Sequence, residues 1–121
     1  MSFKDLHLIY LLFIELSWVL SYYIFMHNIS GVFSAALTPV RKDLSINQDL
    51  YLRHCQYLMR QGHDGLAIFG TTGEANSFSI KEKKDTLEFL LSNRIDPKIL
   101  IPGTGSSSLN DAIEMTKHAA T

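Results

Sequence analysis

Cysteine is almost missing from this chain of 121 residues: Cys55 stands alone. No internal disulfide can form, and a lone thiol suits a reducing compartment, which favours the cytoplasm. Cys55 falls on an apolar helical stripe, so it reads as a buried thiol rather than a nucleophile. Basic charge is not in excess either, with eleven Lys and Arg against twelve Asp and Glu and a net charge of −1. Nothing there would neutralise a run of phosphates, and no nucleic-acid partner is expected. The five histidines, at 7, 27, 54, 63 and 118, are scattered without metal-ligand spacing. Neither a metal nor any other cofactor is expected. The glycines spell neither Gly-x-Gly-x-x-Gly nor Gly-x-x-x-x-Gly-Lys, which argues against a nucleotide binder. Length sets a last bound. One domain is the most that fits, and a complete barrel of eight strand-helix units needs roughly 250 residues.

What is present centres on Gly70-Thr71-Thr72-Gly73-Glu74. A short apolar run, Leu66-Ala67-Ile68-Phe69, precedes it and is bounded by Gly65. A run that short between glycines predicts a buried strand. Ser79-Ile80-Lys81-Glu82 follows, a capping box that opens a helix. In a strand-loop-helix order, glycines let backbone approach a ligand, and amides with threonine hydroxyls converge on a small anion. A plain turn whose threonines cap local backbone would show the same residues.

The remainder alternates in the same way. Strands are expected near 32–37, 66–69 and 99–101, and helices near 48–61, 80–92 and 109–120. Pro39 ends the first strand, Asn47 caps the first helix and Gly62 stops it. The helices offer apolar stripes: Tyr51, Leu52, Cys55, Leu58 and Met59 in the first, then Ile80, Leu87, Leu90 and Leu91 in the second. The third offers Leu109, Ala112, Ile113, Thr116 and Ala119, opened by Ser108 with Asp111. Short loops between such repeats imply parallel strands and right-handed crossovers. A doubly wound sheet and a barrel both satisfy that pattern. In either, ligands meet the carboxyl ends of the strands, here Leu37-Thr38-Pro39, Gly70 to Gly73, and Gly103-Thr104-Gly105.

Residues 1–27 form an apolar extension ahead of a domain over 28–121. Residues 6–26 are long enough to span a bilayer as a helix. Twelve of them are Leu, Ile, Val or Phe, whose summed insertion energy of roughly −5 kcal/mol outweighs about +3 for Glu15. Lys4 in front, with no positive charge behind until Arg41, would keep the N-terminus inside. This makes the stretch a candidate inner-membrane anchor. Two other readings stand beside it: sequence upstream of a natural start at Met26, and an extra soluble helix.

Gly31-Val32-Phe33 with Leu37-Thr38-Pro39-Val40 comes first in a longer series of motifs. Gly62-His63-Asp64-Gly65-Leu66, Gly70-Thr71-Thr72-Gly73-Glu74 and Ile101-Pro102-Gly103-Thr104-Gly105 follow, then Asp111-Ala112-Ile113. In these motifs, their order and their spacing, residues 31–120 resemble the family of dihydrodipicolinate synthase and N-acetylneuraminate lyase, pyruvate-handling Schiff-base lyases. The paired threonines resemble the synthase branch more than the lyase branch, which often has serine first. The resemblance implies an α/β fold, about the first three units of a (β/α)8 barrel. It implies that the Thr72 hydroxyl and amide, with the Thr71 amide, hold the carboxylate of pyruvate. The Thr71 hydroxyl would relay protons towards a catalytic tyrosine. Gly70, Gly73, Thr38 and Gly103 would line the pocket without chemistry of their own, and Glu74 would be structural. The full-length enzyme would be a homo-oligomer, a tetramer or dimer.

The family's mechanism also needs a lysine at the end of the sixth strand, whose lowered pKa frees the amine to attack pyruvate. None of this chain's lysines qualifies. Lys81, Lys83 and Lys84 share one helix, Lys117 sits on another, Lys42 and Lys98 lie in polar loops, and Lys4 is in the extension. All read as solvated surface charges, so this chain alone is expected to be inert. A membrane-tethered module that binds a small anion without catalysis is the alternative.

Overall fold

Three parallel strands form one sheet in the order in which they occur along the chain, in a computed structural model that describes residues 29–120. The apolar stretch 6–26 lies outside the described residues. Among the described residues no helix is long and apolar enough to cross a membrane. The chain divides into Met1–Ser30 and Gly31–Thr121, and every element below belongs to the second unit. The strands are β1 (Phe33–Ala35), β2 (Gly65–Ile68) and β3 (Leu100–Pro102). The helices are α1 (Gln48–Arg60), α2 (Ile80–Ser92) and α3 (Leu109–Ala119).

Local chemistry sets the helix ends where the sequence puts them. The Asn47 side chain accepts from the Leu50 amide at 3.1 Å, and Gly62 leaves α1 at a φ of +90° while its amide donates to Met59 O. Ser79 and Glu82 form both halves of the capping box, at 3.2 and 2.9 Å. Ser108 Oγ accepts from the Asp111 amide at the start of α3. Such caps satisfy amides that have no partner inside the first helical turn.

The register pairs Ser34 with Leu66 and Leu66 with Leu100, and likewise Ala35 with Ala67 and Ala67 with Ile101. Strand alternation therefore gives the sheet two different faces. The face with Leu66, Ile68 and Leu100 packs against Tyr51 and Cys55 of α1, Leu87 and Leu90 of α2, and Met115 of α3. Leu66 and Ile68 are wholly buried, each stabilising by about 1.5–3 kcal/mol. The opposite face leaves Ala35 exposed, with Ile101 at 40% and Leu37 at 57%.

Two expectations are corrected. Lys83 is not a solvated charge: it is 2% exposed. At helical spacing it lies in line with Leu87 and Leu90, on the face α2 turns inward. In α3 the buried residue is Met115, whereas Leu109 is 75% exposed and Ile113 44%. The helix is held by its other side. Lys84 Nζ meets Glu114 Oε1 at 2.9 Å, and His118 Nε2 lies 3.1 Å from Glu88 Oε1. Glu114 and His118 thus reach α2 side chains while Met115 joins the core beside Leu87 and Leu90, and Leu109 and Ile113 stay exposed.

Candidate functional site

The carboxyl ends of the strands lead into three loops that touch one another. Phe69, the first residue past β2, is bulky yet has a φ of +54°, a region that side chains seldom adopt. Continued extension would place its ring on the bare face with Ala67. The left-handed turn instead buries it to 1% exposure, edge-on against Tyr51 with ring centroids 5.9 Å apart. The same turn brings the Phe69 carbonyl against the third loop. A Cβ on Gly103 would lie 2.1 Å from that oxygen, so only glycine fits there, and the Gly103 amide donates to Ile68 O at 2.7 Å.

Beyond Phe69 the chain makes a tight turn. The Glu74 amide donates to Thr71 O at 3.0 Å and that of Ala75 to Gly70 O at 3.3 Å. Glu74 is itself left-handed, at a φ of 51° and ψ of 40°, and starts a 3₁₀ turn over Ala75–Ser77. The strained positions are thus Phe69 and Glu74, with the motif's Gly-Thr-Thr-Gly between them. Strain of this kind, about 1–3 kcal/mol each, concentrates at ligand sites. Gly73 serves close approach: a Cβ on it would stand 3.0 Å from Ala36 O and 3.1 Å from Thr38 Oγ1. Thr38 Oγ1 donates to Gly73 O at 2.7 Å, joining the first loop to the second.

The residues singled out in the sequence flank two adjoining openings. One, of about 420 Å³, is lined by Gly70, Thr71 and Gly103, with Asn76 and Ser77. The other, of about 470 Å³, is lined by Thr38 and Thr72, with Leu37, Leu50 and His54. Glu74 borders both, and Gly73 is buried between them. Thr71 and Thr72 are exposed. Among the described residues nothing accepts a hydrogen bond from either hydroxyl or either amide. Among the described residues no lysine or arginine lines the openings, so an anion there meets amide and hydroxyl donors, with the His54 ring at the second opening. Among the described residues no group of three or more His, Cys, Asp or Glu could hold a metal ion.

Two buried groups beneath the loops are kept neutral. Burial pushes the Cys55 thiol up to about 11. It also raises the Tyr51 phenol far above its ordinary range, outweighing the Thr38 hydroxyl and the Phe69 backbone beside it. The Tyr51 hydroxyl is buried and makes no hydrogen bond among the described residues. Sequence reading placed Tyr51 on the apolar stripe, and missed that its polar end lies under the loops. Its i, i+4 spacing to Cys55 signals a buried face, but nothing in the sequence aims its hydroxyl at Thr38.

A model of the dihydrodipicolinate synthetase family matches residues 28–121. The chain belongs to that family. Among its relatives, the 4-hydroxy-tetrahydrodipicolinate synthase of Methanothrix thermoacetophila is 38% identical over 90 residues, 74% of this chain and 30% of that protein. The chain thus spans about three-tenths of the length of the relatives it matches. Dihydrodipicolinate synthase from Agrobacterium tumefaciens superposes with a TM-score of 0.71 at 28% identity, over 74% of this chain and 31% of that one. Proteus mirabilis N-acetylneuraminate lyase gives 0.68 at 32%, over 77% and 32%. A variant of the 2-keto-3-deoxygluconate aldolase of Sulfolobus solfataricus, solved as a pyruvate complex, gives 0.64 at 31%, over 73% and 29%. The sheet and its three helices therefore match part of a (β/α)8 barrel rather than a doubly wound sheet.

Proposed function

We propose that this chain forms the carboxylate-binding part of a pyruvate-dependent aldolase or lyase of the 4-hydroxy-tetrahydrodipicolinate synthase type. One observation carries the reading. A strained turn at the carboxyl ends of parallel strands presents Thr71 and Thr72, whose hydroxyls and amides donate to nothing among the described residues. The Thr72 hydroxyl and amide, with the Thr71 amide, hold the carboxylate of pyruvate. Each bond to a charged group contributes about 1.5–3 kcal/mol. The Thr71 hydroxyl faces the neighbouring opening and passes protons between the condensing carbon and an acid-base group. Gly70 and Gly103 line that opening without adding side chains to it. The pyruvate complex of the related aldolase supports the choice of acid.

The Schiff base itself needs an amine that the described residues do not offer at either opening. Among the described lysines, Lys81 pairs with Asp85 and Lys84 with Glu114, and none borders either opening. The chain acts as the N-terminal part of a homo-oligomeric enzyme that condenses pyruvate with an aldehyde, as in lysine biosynthesis, and is inert alone. It works in the cytoplasm, where its single thiol stays reduced.

Titrating the ¹⁵N-labelled chain with pyruvate tests the binding half. Saturable shifts confined to the amides of residues 70–74 are expected, with none from acetone, which lacks the carboxylate. Borohydride added with pyruvate tests the other half. It should leave the chain unmodified, and a reduced lysine adduct would overturn the assignment of the amine to another part of the enzyme.

A further inference from the structure

We infer that Thr38 and Tyr51 are positioning residues that fix the Gly73–Glu74 peptide and through it the donors of the Thr71–Thr72 turn. The inference rests on the carboxylate-binding reading above but adds residues that lie outside the Gly-Thr-Thr-Gly-Glu motif. The Gly73–Glu74 peptide is held on both edges. Its carbonyl accepts from Thr38 Oγ1 at 2.7 Å, and its amide donates to Thr71 O at 3.0 Å. Because a peptide unit is planar, two opposed anchors fix its rotation. The turn enclosed between Thr71 and Glu74 then keeps the direction in which its threonines point. Gly73 is closely flanked as well: a Cβ added there would lie 3.0–3.3 Å from Ala36 O, Thr38 Oγ1 and Phe69 N.

Thr38 has one hydroxyl hydrogen, and the bond to Gly73 uses it. Its oxygen retains lone pairs for a donor. Tyr51 is the neighbouring donor. Its hydroxyl is buried beside the Thr38 hydroxyl and the Phe69 backbone, and among the described residues no partner is in place for it. A buried hydroxyl left unpaired is costly, and Thr38 is the adjacent group able to accept. The Tyr51 ring is held against Phe69, the residue whose left-handed backbone opens the motif. The order of donation is Tyr51 to Thr38 to Gly73, running from helix α1 through the first loop into the second. Burial keeps the phenol protonated throughout the physiological range, so the order does not reverse with pH.

The experiment uses the full chain and two readouts. Thr38→Val removes the hydroxyl at nearly constant volume, Thr38→Ser restores it, and Tyr51→Phe removes only the phenolic oxygen. Without ligand, hydrogen exchange at the Glu74 amide should quicken at least tenfold in Thr38→Val and return towards wild type in Thr38→Ser. With pyruvate, Thr38→Val should weaken binding roughly tenfold, one ordinary hydrogen bond's worth, and Tyr51→Phe about threefold. Serine should rescue the affinity, which a merely volumetric role would not predict. The inference is overturned if Glu74 exchange is unchanged in both Thr38→Val and Tyr51→Phe. It is equally overturned for Tyr51 if Tyr51→Phe raises the melting temperature and leaves exchange unaltered, the behaviour of a truly unpaired hydroxyl. Failure of the wild-type chain to bind pyruvate would sink the functional reading alone, because the exchange experiment needs no ligand.

Discussion

Phe69 and Tyr51 meet edge to face, centroids 5.9 Å apart and planes at 66°, and Phe69 reaches that contact from left-handed backbone at a φ of +54°. The pair decides the shape of the site. Turning Phe69 towards α1 ends β2, swings its carbonyl against Gly103, and sends the chain into the Thr71–Glu74 turn. An unfavourable φ costs about 1–3 kcal/mol, while a buried aromatic side chain stabilises by more. The packing term wins, so the strain persists in the folded state.

Phe69→Gly tests that ledger. Glycine relieves the backbone strain, at most about 3 kcal/mol, and loses the ring, about 3–5 kcal/mol. A net loss of about 1–3 kcal/mol is expected in urea unfolding. Stability equal to or above wild type would mean that the ring contributes less than the strain.

Gly103→Ala should be more damaging than its size suggests. The new methyl group would stand 2.1 Å from Phe69 O and 2.7 Å from Phe69 C, against backbone rather than a yielding side chain. Overpacking of that sort costs about 1–3 kcal/mol, and it should also displace the amides of residues 70–73. Gly105→Ala is the control, since nothing lies within 4 Å of a Cβ there. Equal melting temperatures for the two variants would contradict the close approach.

The lines between legible and illegible parts follow the range of the interactions. Asn47, Gly62 and the Ser79–Glu82 box act within four residues, so the helix bounds in the sequence match the structure closely. Short apolar runs between glycines gave the parallel strands, within a residue or two at β2 and β3. Phe69 reads as strand from its neighbours, because only the distant Tyr51 ring turns it out of the ladder. Lys83 reads as surface from its charge, though its spacing to Leu87 and Leu90 already places it on the inner stripe. In α3, Leu109 and Ile113 look like core by type. The buried residue is instead Met115, which packs in the core with Leu87 and Leu90 of α2, distant along the chain. At the site, the motif showed which residues assemble; that Thr71 and Thr72 border different openings is announced by no local pattern.

Cys55 should resist alkylation in the native state. The thiolate is the reactive form, burial holds the thiol up to about 11, and the residue is wholly buried. Iodoacetamide at pH 8 should label the chain only after denaturation, as mass spectrometry would register. Rapid labelling of the folded chain would place Cys55 elsewhere than on the buried face of α1.

The attachment of α3 should weaken in acid. Glu114 is held below its ordinary value of 4.5, first by the hydrogen bond from Lys84 and then by that ammonium's charge. A carboxyl with a lowered folded pKa lends stability that is complete above its ordinary value and fades as pH falls through the lowered one. Hydrogen exchange over Leu109–Ala119 should therefore quicken, relative to the rest of the chain, below about pH 4.5. Lys84→Met should flatten that dependence. The group is exposed, so the effect should be small and should shrink further in salt. An identical acid response in Lys84→Met would assign it to other carboxylates.

Thr71 and Thr72 should separate binding from turnover, and the comparison belongs in a complete enzyme carrying this segment. Thr72→Val keeps the shape and removes the hydroxyl, so the carboxylate of pyruvate loses one charge-assisted bond. At about 1.5–3 kcal/mol, affinity should fall roughly tenfold to a hundredfold. Thr71 faces the other opening, and its hydroxyl is assigned to moving a proton. Thr71→Val should spare pyruvate affinity and lower kcat about a hundredfold, the usual yield of positioned proton transfer. Isothermal titration and steady-state kinetics on both variants give the contrast. Equal losses of affinity and turnover in the two, or no loss in either, would overturn the separate roles. The first outcome would mean that one shared opening serves both hydroxyls. The second would mean that the carboxylate is held by backbone amides alone, with the threonines serving only to shape the turn between Gly70 and Glu74.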